Sequence, residues 1–347
     1  MSPTTWTILI CTMATGTIIT MTSHHWLLAW MGLEINTLAI LPIIAKQHHP
    51  RATEAATKYF LIQAAAAAMI LFASMLNAWT TGQWTIMHLQ NQQAAALFTL
   101  AISMKLGLVP MHSWFPEVMQ GSTINTALLI STWQKLAPLS IIYMTSTHLN
   151  LTMLITLSLL STMVGGVLGL NQTQTRKIMA YSSIAHMGWL IMALSMNLNI
   201  TTLTMILYIM MTTSMFMTLL TSTAKSITDL GLAWPNSPTM LVMMMMVLLS
   251  LAGLPPLSGF SPKWLILMEL TKTNLTTIST IMALSTLPSL LFYLRLAYLT
   301  IMTTPPTPMT TQHKWRHKPK FTKTMPQLII STTMLLPIMP LMQNFIQ

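Results

Sequence analysis

Charged residues are scarce in this chain. Only 6% of its 347 residues are Asp, Glu, Lys or Arg, whereas 53% are hydrophobic. A soluble domain carries about 25% charged residues, so this composition excludes an ordinary soluble protein and predicts an all-α protein that crosses a membrane many times. The net charge of +11 comes from 16 basic and 5 acidic residues. We interpret most of the bases as loop charges on one membrane face rather than as a nucleic-acid-binding surface.

Cysteine is almost absent. Cys11 is the only one in the sequence, which excludes an intrachain disulfide and any cysteine-ligated cluster or zinc site. The sequence also lacks GxGxxG, GxxxxGK[ST], CxxC and haem-attachment motifs, so no pattern in it predicts nucleotide or haem binding. We therefore expect no cofactor and no metal to be bound by this chain. If the protein serves redox chemistry, its electrons travel elsewhere.

No Lys or Arg precedes Lys46. The beginning of the sequence therefore lacks the cationic region of a secretory signal and the arginines of a mitochondrial transit sequence. We expect the first apolar segment, 4–21, to be a mature membrane span, and we expect the chain to be inserted close to where it is made.

Apolar segments recur along the whole chain. A membrane span needs roughly 20 mostly apolar residues, and eleven segments meet this criterion. The predicted spans are 3–22, 25–45, 56–78, 94–116, 123–145, 150–171, 177–197, 199–222, 239–270, 275–300 and 325–345. Polar turns separate them, and one long loop covers 301–324.

The loop charges support this count. With eleven spans the loops alternate sides, and Lys272 is the only basic loop residue on one of those sides. The positive-inside rule then places the N-terminus and the basic loops inside and the C-terminus outside. The basic loop residues on the inside are Lys46, Arg51, Lys58, Arg176, Lys177, Lys225, Lys314, Arg316, Lys318, Lys320 and Lys323. Arg295 lies near the same face.

Two spans contain helix breakers beside a lysine. In the fourth span Lys105 precedes Gly107 and Pro110, and in the ninth the Gly- and Pro-rich segment 253–262 precedes Lys263. Proline removes a backbone donor, and a bilayer cannot replace the lost hydrogen bond. We expect each lysine to donate to the carbonyls freed at its break. A simple proline kink is the alternative for either site taken alone.

The two broken spans lie five spans apart. Interrupted spans at matching positions are typical of transporter folds built from two repeats. Because five is odd, the second copy must be inverted in the membrane. We expect a single membrane domain over 1–347, with a first repeat at about 1–145, a second at about 150–300, the loop 301–324 and a C-terminal helix at 325–347.

Four charged residues fall inside apolar spans. They are Glu34, Lys105, Lys135 and Lys263. A charge at membrane depth costs several kcal/mol, and such residues usually face a protein interior or a wet cavity. These four residues therefore predict an ion or proton path through the protein.

Histidines provide further candidates. His112 follows the first break, and His186 lies among serines in YSSIAHMGWL. Because histidine titrates near neutral pH, either could relay protons, and a structural hydrogen bond is the alternative for His186. We interpret the pairs His24–His25 and His48–His49 as polar residues at the level of the headgroups rather than as a metal site.

The remaining acids of the first half are expected at the membrane surface. Glu54 and Lys58 are one helical turn apart, which predicts an exposed ion pair. Glu117, near the end of the fourth span, is expected at the membrane interface.

Three segments resemble a known family. AISMKLGLVPMHSWFPEV, YSSIAHMGW and LAGLPPLSGFSPKW resemble the antiporter-like subunits of respiratory complex I, and the resemblance extends over essentially the whole chain. It implies two inverted five-helix repeats with broken fourth helices, and proton pumping driven by distant quinone reduction. The implied partners are the other membrane subunits of the complex and the lipids of the inner mitochondrial membrane, with the basic loops facing the matrix. No nucleic acid and no directly bound soluble substrate are implied.

The resemblance also implies residue roles. Glu34 and Lys105 would form the acid–lysine pair of the first half-channel, Lys135 would be the central lysine, and Lys263 would be the lysine of the second broken helix. Bacterial members carry additional N-terminal spans that have no counterpart in this sequence, which leaves the embedded lysines unaffected.

Two other functions remain open. A stand-alone cation/proton antiporter would use the same fold, but a sodium site favours several buried carboxylates and Glu34 is the only buried acid expected. A purely structural membrane subunit would keep its lysines only to satisfy broken-helix carbonyls.

Overall fold

The computed structural model describes residues 2–47, 49–234, 237–301 and 324–340. The predicted loop 301–324 and the end of the predicted C-terminal helix lie largely outside these residues, as does His48. Over the described residues the chain is helical and contains no strand beyond isolated bridges. The helices are α1 (Pro3–Thr22), α2 (Trp26–Ile44), α3 (Pro50–Thr81), α4 (Gln92–Leu106), α5 (Trp114–Gly121), α6 (Ile124–Ser131), α7 (Trp133–Thr145), α8 (Leu151–Leu170), α9 (Thr175–Met196), α10 (Leu198–Ser222), α11 (Ile227–Leu232), α12 (Pro238–Ala252), α13 (Phe260–Lys272), α14 (Thr276–Ile301) and α15 (Thr324–Met334).

Among the described residues, seven helices are long and apolar enough to cross a membrane. They are α1, α2, α3, α8, α9, α10 and α14, and each coincides with a predicted span. The prediction of an all-α, multi-pass membrane protein is therefore confirmed. The other four predicted spans are built from shorter helices.

Two of these four interruptions were predicted. The fourth span divides into α4 and α5, and the ninth divides into α12 and α13, at the Gly- and Pro-containing segments. Glycine ends the first helix of each pair with a left-handed backbone, φ +72° at Gly107 and φ +80° at Gly253. Only glycine adopts this conformation without steric cost, so both helices end where the glycine lies.

The interruptions of the fifth and eleventh spans were not predicted. The fifth span is interrupted at Thr132, where φ is −112° and ψ is −68° and the hydroxyl donates to the Leu128 carbonyl over 2.7 Å. Such back-bonding by threonine competes with the helical ladder and bends helices. In the eleventh span α15 ends at Met334 and a 3₁₀ turn, Leu336–Ile338, follows. Pro337 lies in that turn, where it has no backbone N–H to continue the α-helix.

The short helix α11 was not predicted. A capping box holds it, because the Ser226 hydroxyl accepts from the Asp229 backbone N–H while the Asp229 carboxylate accepts from the Ser226 backbone N–H. The hydrogen bonds from Ser226 to this carboxylate lower the pKa of Asp229. A capping box of this kind starts a helix without any apolar periodicity.

The chain forms two compact units, Met1–Ser161 and Thr162–Gln347. An isolated antiparallel bridge in the first unit joins His25, just before α2, to Thr85, after α3. A bridge in the second unit joins Gln174, just before α9, to Ser226, after α10. The two bridges occupy corresponding places in the helix order, as a repeat requires, while the predicted repeat boundaries stay a prediction.

Helices α1 and α2 approach closely through glycine. A Cβ atom at Gly32 would lie 2.6 Å from Thr20 Cγ2 and 2.9 Å from the Gly16 carbonyl oxygen. Lipid tails are as apolar as leucine, so membrane helices associate through tight packing of small residues rather than through hydrophobic burial. This contact sets the position of the α2 segment that carries Glu34.

We expect Gly32→Val to separate α1 from α2, because the added side chain would overlap the α1 backbone. Overpacking of this kind costs about 1–3 kcal/mol. The measurement is the thermal unfolding temperature of the membrane-extracted protein. Leu28→Val, at a position of α2 that is 47% exposed, is the control. Equal unfolding temperatures for the two variants would contradict the tight α1–α2 contact.

Candidate functional site

The first break satisfies its freed carbonyls without the lysine. After Gly107 ends α4, the Leu108 backbone N–H donates to the Ser103 carbonyl over 2.8 Å, and the Trp114 indole N–H donates to the Met104 carbonyl over 3.1 Å. The expectation that Lys105 would serve these carbonyls was therefore wrong. A tryptophan from α5 reaches back across the break and takes that role.

Lys105 is instead a buried amine without a hydrogen-bond partner. Its residue is 6% exposed, and within the described residues no group lies within hydrogen-bonding distance of its Nζ. Buried charged groups are normally paired, so an isolated one marks a functional position more often than a structural one.

Glu34 and Lys105 do not form an ion pair in the described part of the protein. The three ion pairs found there involve Lys58 and Lys272 with other carboxylates. The Glu34 carboxylate accepts a hydrogen bond from the Thr37 hydroxyl over 3.1 Å. A direct Glu34–Lys105 salt bridge is thus not present in this structure, and the acid–lysine pair stays a prediction.

Lys105 and Lys135 line the same cavity in the first unit. Lys135 is also buried, and its Nζ lies 5.1 Å from the centre of the Phe115 ring, a cation–π contact. The cavity walls come from α2, α3, α4, α5, α6 and α7, so six separate segments of sequence converge on it. The structure therefore brings together two of the four embedded charges predicted from the sequence.

Several uncharged polar residues in this cavity were not predicted. Among them are Asn36, Tyr59, Gln63 and Gln134. The Tyr59 hydroxyl donates to Gln134 Oε1 over 3.4 Å, Gln134 Nε2 donates to the Asn36 carbonyl over 3.3 Å, and Gln63 Nε2 donates to the Lys105 carbonyl over 3.4 Å. An amide inside an apolar span is itself a signal, and it would have identified Asn36, Gln63 and Gln134.

His112 lies at the break and outside the set of residues that line this cavity. Its ring Nδ1 lies 3.3 Å from the Pro110 carbonyl oxygen, two residues earlier in the chain. Its predicted relay role stays a prediction.

A three-residue charge cluster links α3 to α5. Lys58 Nζ lies 2.5 Å from Glu54 Oε1 and 2.5 Å from Glu117 Oε2. The predicted Glu54–Lys58 pair is present, and Glu117 joins it. All three side chains are at least 39% exposed, and exposed ion pairs contribute little to stability.

The second break does use its lysine. In the second unit, Lys263 Nζ donates to the Ala252 carbonyl over 2.7 Å, at the end of α12. A Cβ atom at Gly253 would lie only 2.8 Å from this Nζ. The glycine therefore ends the helix and also leaves room for the lysine.

Lys263 and His186 line one cavity of the second unit. Tyr293, which also lines it, places its hydroxyl 3.4 Å from His186 Nε2, and the Tyr208 ring centre lies 5.9 Å from that of His186. The two tyrosines were not predicted, because a tyrosine in an apolar helix has no distinctive spacing. The structure thus groups His186 with a lysine that lies 77 positions later in the sequence.

The described residues hold no cluster of three or more His, Cys, Asp or Glu side chains that could bind a metal ion. Two of the histidines near the span ends, His25 and His49, act as helix caps. His25 Nδ1 accepts from the Leu27 backbone N–H, and His49 Nδ1 accepts from that of Arg51, each over 3.2 Å. His25 also stacks on Trp84, with 5.8 Å between ring centres.

The sequence matches two family models. Residues 23–289 match the transmembrane region shared by NADH:quinone oxidoreductases and Mrp antiporters, and residues 290–343 match the C-terminus of NADH dehydrogenase subunit 2. The NADH-ubiquinone oxidoreductase chain 2 of Latimeria chalumnae is 52% identical over 344 residues, which cover 99% of both chains. That of Gallus gallus is 52% identical over 336 residues, 96% of this chain and 97% of the relative.

The chain belongs to the NADH-ubiquinone oxidoreductase chain 2 family. This membership confirms the resemblance to the antiporter-like subunits of complex I, and it identifies a membrane subunit that works among other membrane subunits of that oxidoreductase.

Solved structures support the same assignment. A chain of respiratory complex I from Thermus thermophilus is similar with a TM-score of 0.84 and 26% identity, over 97% of this chain and 78% of that one. A chain of the Mrp complex from Dietzia sp. has a TM-score of 0.84 at 15% identity, over 97% of this chain and 76% of that one. At 15% identity the second likeness shows a shared fold alone. The relatives at 52% identity are chains of NADH-ubiquinone oxidoreductase, and they favour a subunit of that enzyme over a stand-alone antiporter.

Proposed function

We propose that Glu34, Lys105, Lys135 and Lys263 form the proton relay of this oxidoreductase subunit, and that His186 and His112 extend it. The chain itself carries no redox centre in this proposal and binds no cofactor. NADH oxidation by ubiquinone takes place elsewhere in the complex and drives the protonation changes.

One observation carries the proposal, namely that Lys105 is buried, has no hydrogen-bond partner among the described residues and shares a cavity with Lys135. A lysine retained only for structure would donate to backbone carbonyls, as Lys263 does, or would pair with a carboxylate. Lys105 does neither, although burying a charge without a partner is costly. This cost is explained if Lys105 exchanges a proton with neighbouring groups whose own protonation changes.

Glu34 supplies the control of Lys105. Its carboxylate stabilises the ammonium form of the nearby lysine, and any change that weakens this interaction favours release of the proton toward Lys135. Opposite charges a few ångströms apart interact far more strongly in a protein interior than in water. The state of Glu34 therefore decides whether Lys105 holds or releases its proton.

In the second unit the proposed carriers are Lys263 and His186. Lys263 holds the Ala252 carbonyl of the broken helix, so loss of its proton would change that hydrogen bond as well as the charge. His186 shares its cavity and has the Tyr293 hydroxyl beside its ring. A neutral imidazole both accepts and donates, which lets it pass a proton from one nitrogen to the other.

Membrane placement completes the proposal. We place this multi-pass protein in the inner mitochondrial membrane, with Arg51 and the 303–324 loop facing the matrix. The basic residues of the predicted loops support this orientation through the positive-inside rule. In the second unit Arg295 donates to the Leu170 carbonyl over 3.0 Å. Arg295 therefore lies at the C-terminal end of α8, the end that leads into the predicted basic loop with Arg176.

Labelling should test the orientation. A membrane-impermeant amine reagent should modify Lys318, Lys320 and Lys323 in inverted inner-membrane vesicles, which expose the matrix face, and should spare them in intact mitoplasts. The readout is peptide mass spectrometry of the assembled complex. Modification from the intermembrane side alone would refute the eleven-span arrangement.

We expect Glu34→Gln to slow proton pumping about tenfold, which corresponds to about 1.4 kcal/mol in activation free energy. The neutral amide no longer stabilises the Lys105 ammonium. Glu34→Asp should retain part of the activity, because it keeps the charge. Proton uptake per NADH oxidised is measured in liposomes that contain the assembled complex.

Glu54→Gln is the matched control. Glu54 lies in the exposed cluster with Lys58, so a complex that carries this substitution should pump normally. Normal pumping by the Glu34→Gln complex, or equal defects in the Gln and Asp variants of Glu34, would count against the pairing.

We expect Lys263→Met to lower pumping while the complex still assembles, because methionine fills the same space without a titratable group. Lys272→Met provides a control on the same helix, since Lys272 is exposed and pairs only with Glu269 among the described residues. Proton uptake and assembly are measured side by side. A Lys263→Met complex that pumps at the control level, or that fails to assemble, would remove the support for a transport role.

A further inference from the structure

Asn36 has a buried amide group that the described part of the protein leaves unsatisfied. The residue is 2% exposed, and neither Nδ2 nor Oδ1 has a hydrogen-bond partner. Because both atoms lack partners, the conclusion does not depend on which of them is assigned as nitrogen. A buried polar group left in this condition costs about 1–3 kcal/mol, so native proteins usually satisfy it with water.

The unsatisfied atoms cluster at one place. Six buried side-chain polar atoms lack a partner among the described residues, and three of them, both Asn36 amide atoms and Lys105 Nζ, belong to residues that line the cavity shared with Lys135. The cavity has room for about one or two water molecules. It therefore combines the two conditions for a buried water site, which are sufficient space and several polar groups around it.

We propose that Asn36 positions a buried water that connects Lys105 to Lys135, which makes Asn36 a positioning residue for proton transfer. The water accepts a hydrogen bond from Lys105 Nζ and donates one to Asn36 Oδ1 or accepts one from Nδ2. The proposal deepens the proton relay described above and rests on it.

The transfer step is balanced. An N–H bond of the Lys105 ammonium breaks as its proton joins the water oxygen, and an O–H bond of the same water breaks as its proton joins the neutral amine of Lys135. One N–H bond is lost and one is gained, the water is regenerated, and the positive charge moves from Lys105 to Lys135. The step needs no electron transfer.

An amide suits this position better than a carboxylate. Asparagine both donates and accepts hydrogen bonds but does not titrate, so it orients the water without competing for the proton. Its backbone is also held in place. The Asn36 carbonyl accepts from Gln134 Nε2 over 3.3 Å. The Asn36 backbone packs closely on Gly16 of α1, because a Cβ atom added there would lie 3.2 Å from the Asn36 backbone nitrogen. The α1–α2 contact thus fixes the height of the amide in the cavity.

Two substitutions of Asn36 separate a water site from a packing role. Leucine has the same number and branching of side-chain heavy atoms as asparagine but cannot bind water, whereas alanine leaves space that a further water can fill. A water site predicts that Asn36→Leu slows pumping at least tenfold while Asn36→Ala keeps at least a third of it. A packing role predicts the reverse order, because alanine leaves the larger cavity.

The assay is proton uptake per NADH oxidised by the assembled complex in liposomes. The control is Asn77→Leu, since Asn77 is a second buried asparagine of the same unit and donates to the His88 carbonyl over 2.8 Å, outside this cavity. It should lower thermal stability and leave pumping by the assembled complex unchanged. Normal pumping by Asn36→Leu, or a larger defect in Asn36→Ala, would overturn the proposal.

Two further measurements keep the test decisive. If the Asn36→Leu complex does not assemble, high-resolution electron cryomicroscopy of the unaltered complex replaces it. Ordered water within hydrogen-bonding distance of both Asn36 and Lys105 supports the site, and a dry cavity overturns it. Lys105→Met distinguishes the two proposals, because normal pumping by that variant refutes the relay itself, whereas defective pumping together with a normal Asn36→Leu refutes only the role of Asn36.

Discussion

Hydrogen bonding in the absence of bulk water is the constraint on which this structure depends. Each backbone carbonyl released inside a bilayer must find a donor within the protein. At the first break the Met104 carbonyl accepts a hydrogen bond from the Trp114 indole N–H, and at the second the Ala252 carbonyl accepts one from the Lys263 ammonium. The same backbone problem is solved by an uncharged donor in one unit and by a charged donor in the other.

This difference has a functional consequence. Because Trp114 satisfies the break, Lys105 is not required there, and its amine is available to the cavity that it shares with Lys135 and a group of neutral polar side chains. Lys263 both donates to the Ala252 carbonyl and lines a cavity with His186, so a change in its charge would act on the backbone of the broken helix. In a membrane subunit of an oxidoreductase, such coupling would offer a route from a charge change to a change in helix structure.

The sequence was informative where physical chemistry acts locally. The length of a span depends on bilayer thickness, and the helix ends at Gly107 and Gly253 depend on the backbone preference of glycine. The apolar spans that form long helices and these two helix ends were predicted correctly. The interruption at Thr132 was not, because a hydroxyl that bonds to its own helix leaves no pattern in composition. The same limit applies to Tyr293, whose position beside His186 depends on the packing of two helices that are distant in the sequence.

The sequence by itself determined that this is a multi-pass membrane protein with two broken spans and four embedded charges, because charges and prolines are costly in a bilayer wherever they occur. Only the tertiary structure decided which of these residues meet. It placed Lys105 with Lys135, left Glu34 without an ion pair to Lys105, and brought Asn36 into the same cavity. These contacts depend on how six helices pack side by side, and the spacing of residues along one chain does not contain that information.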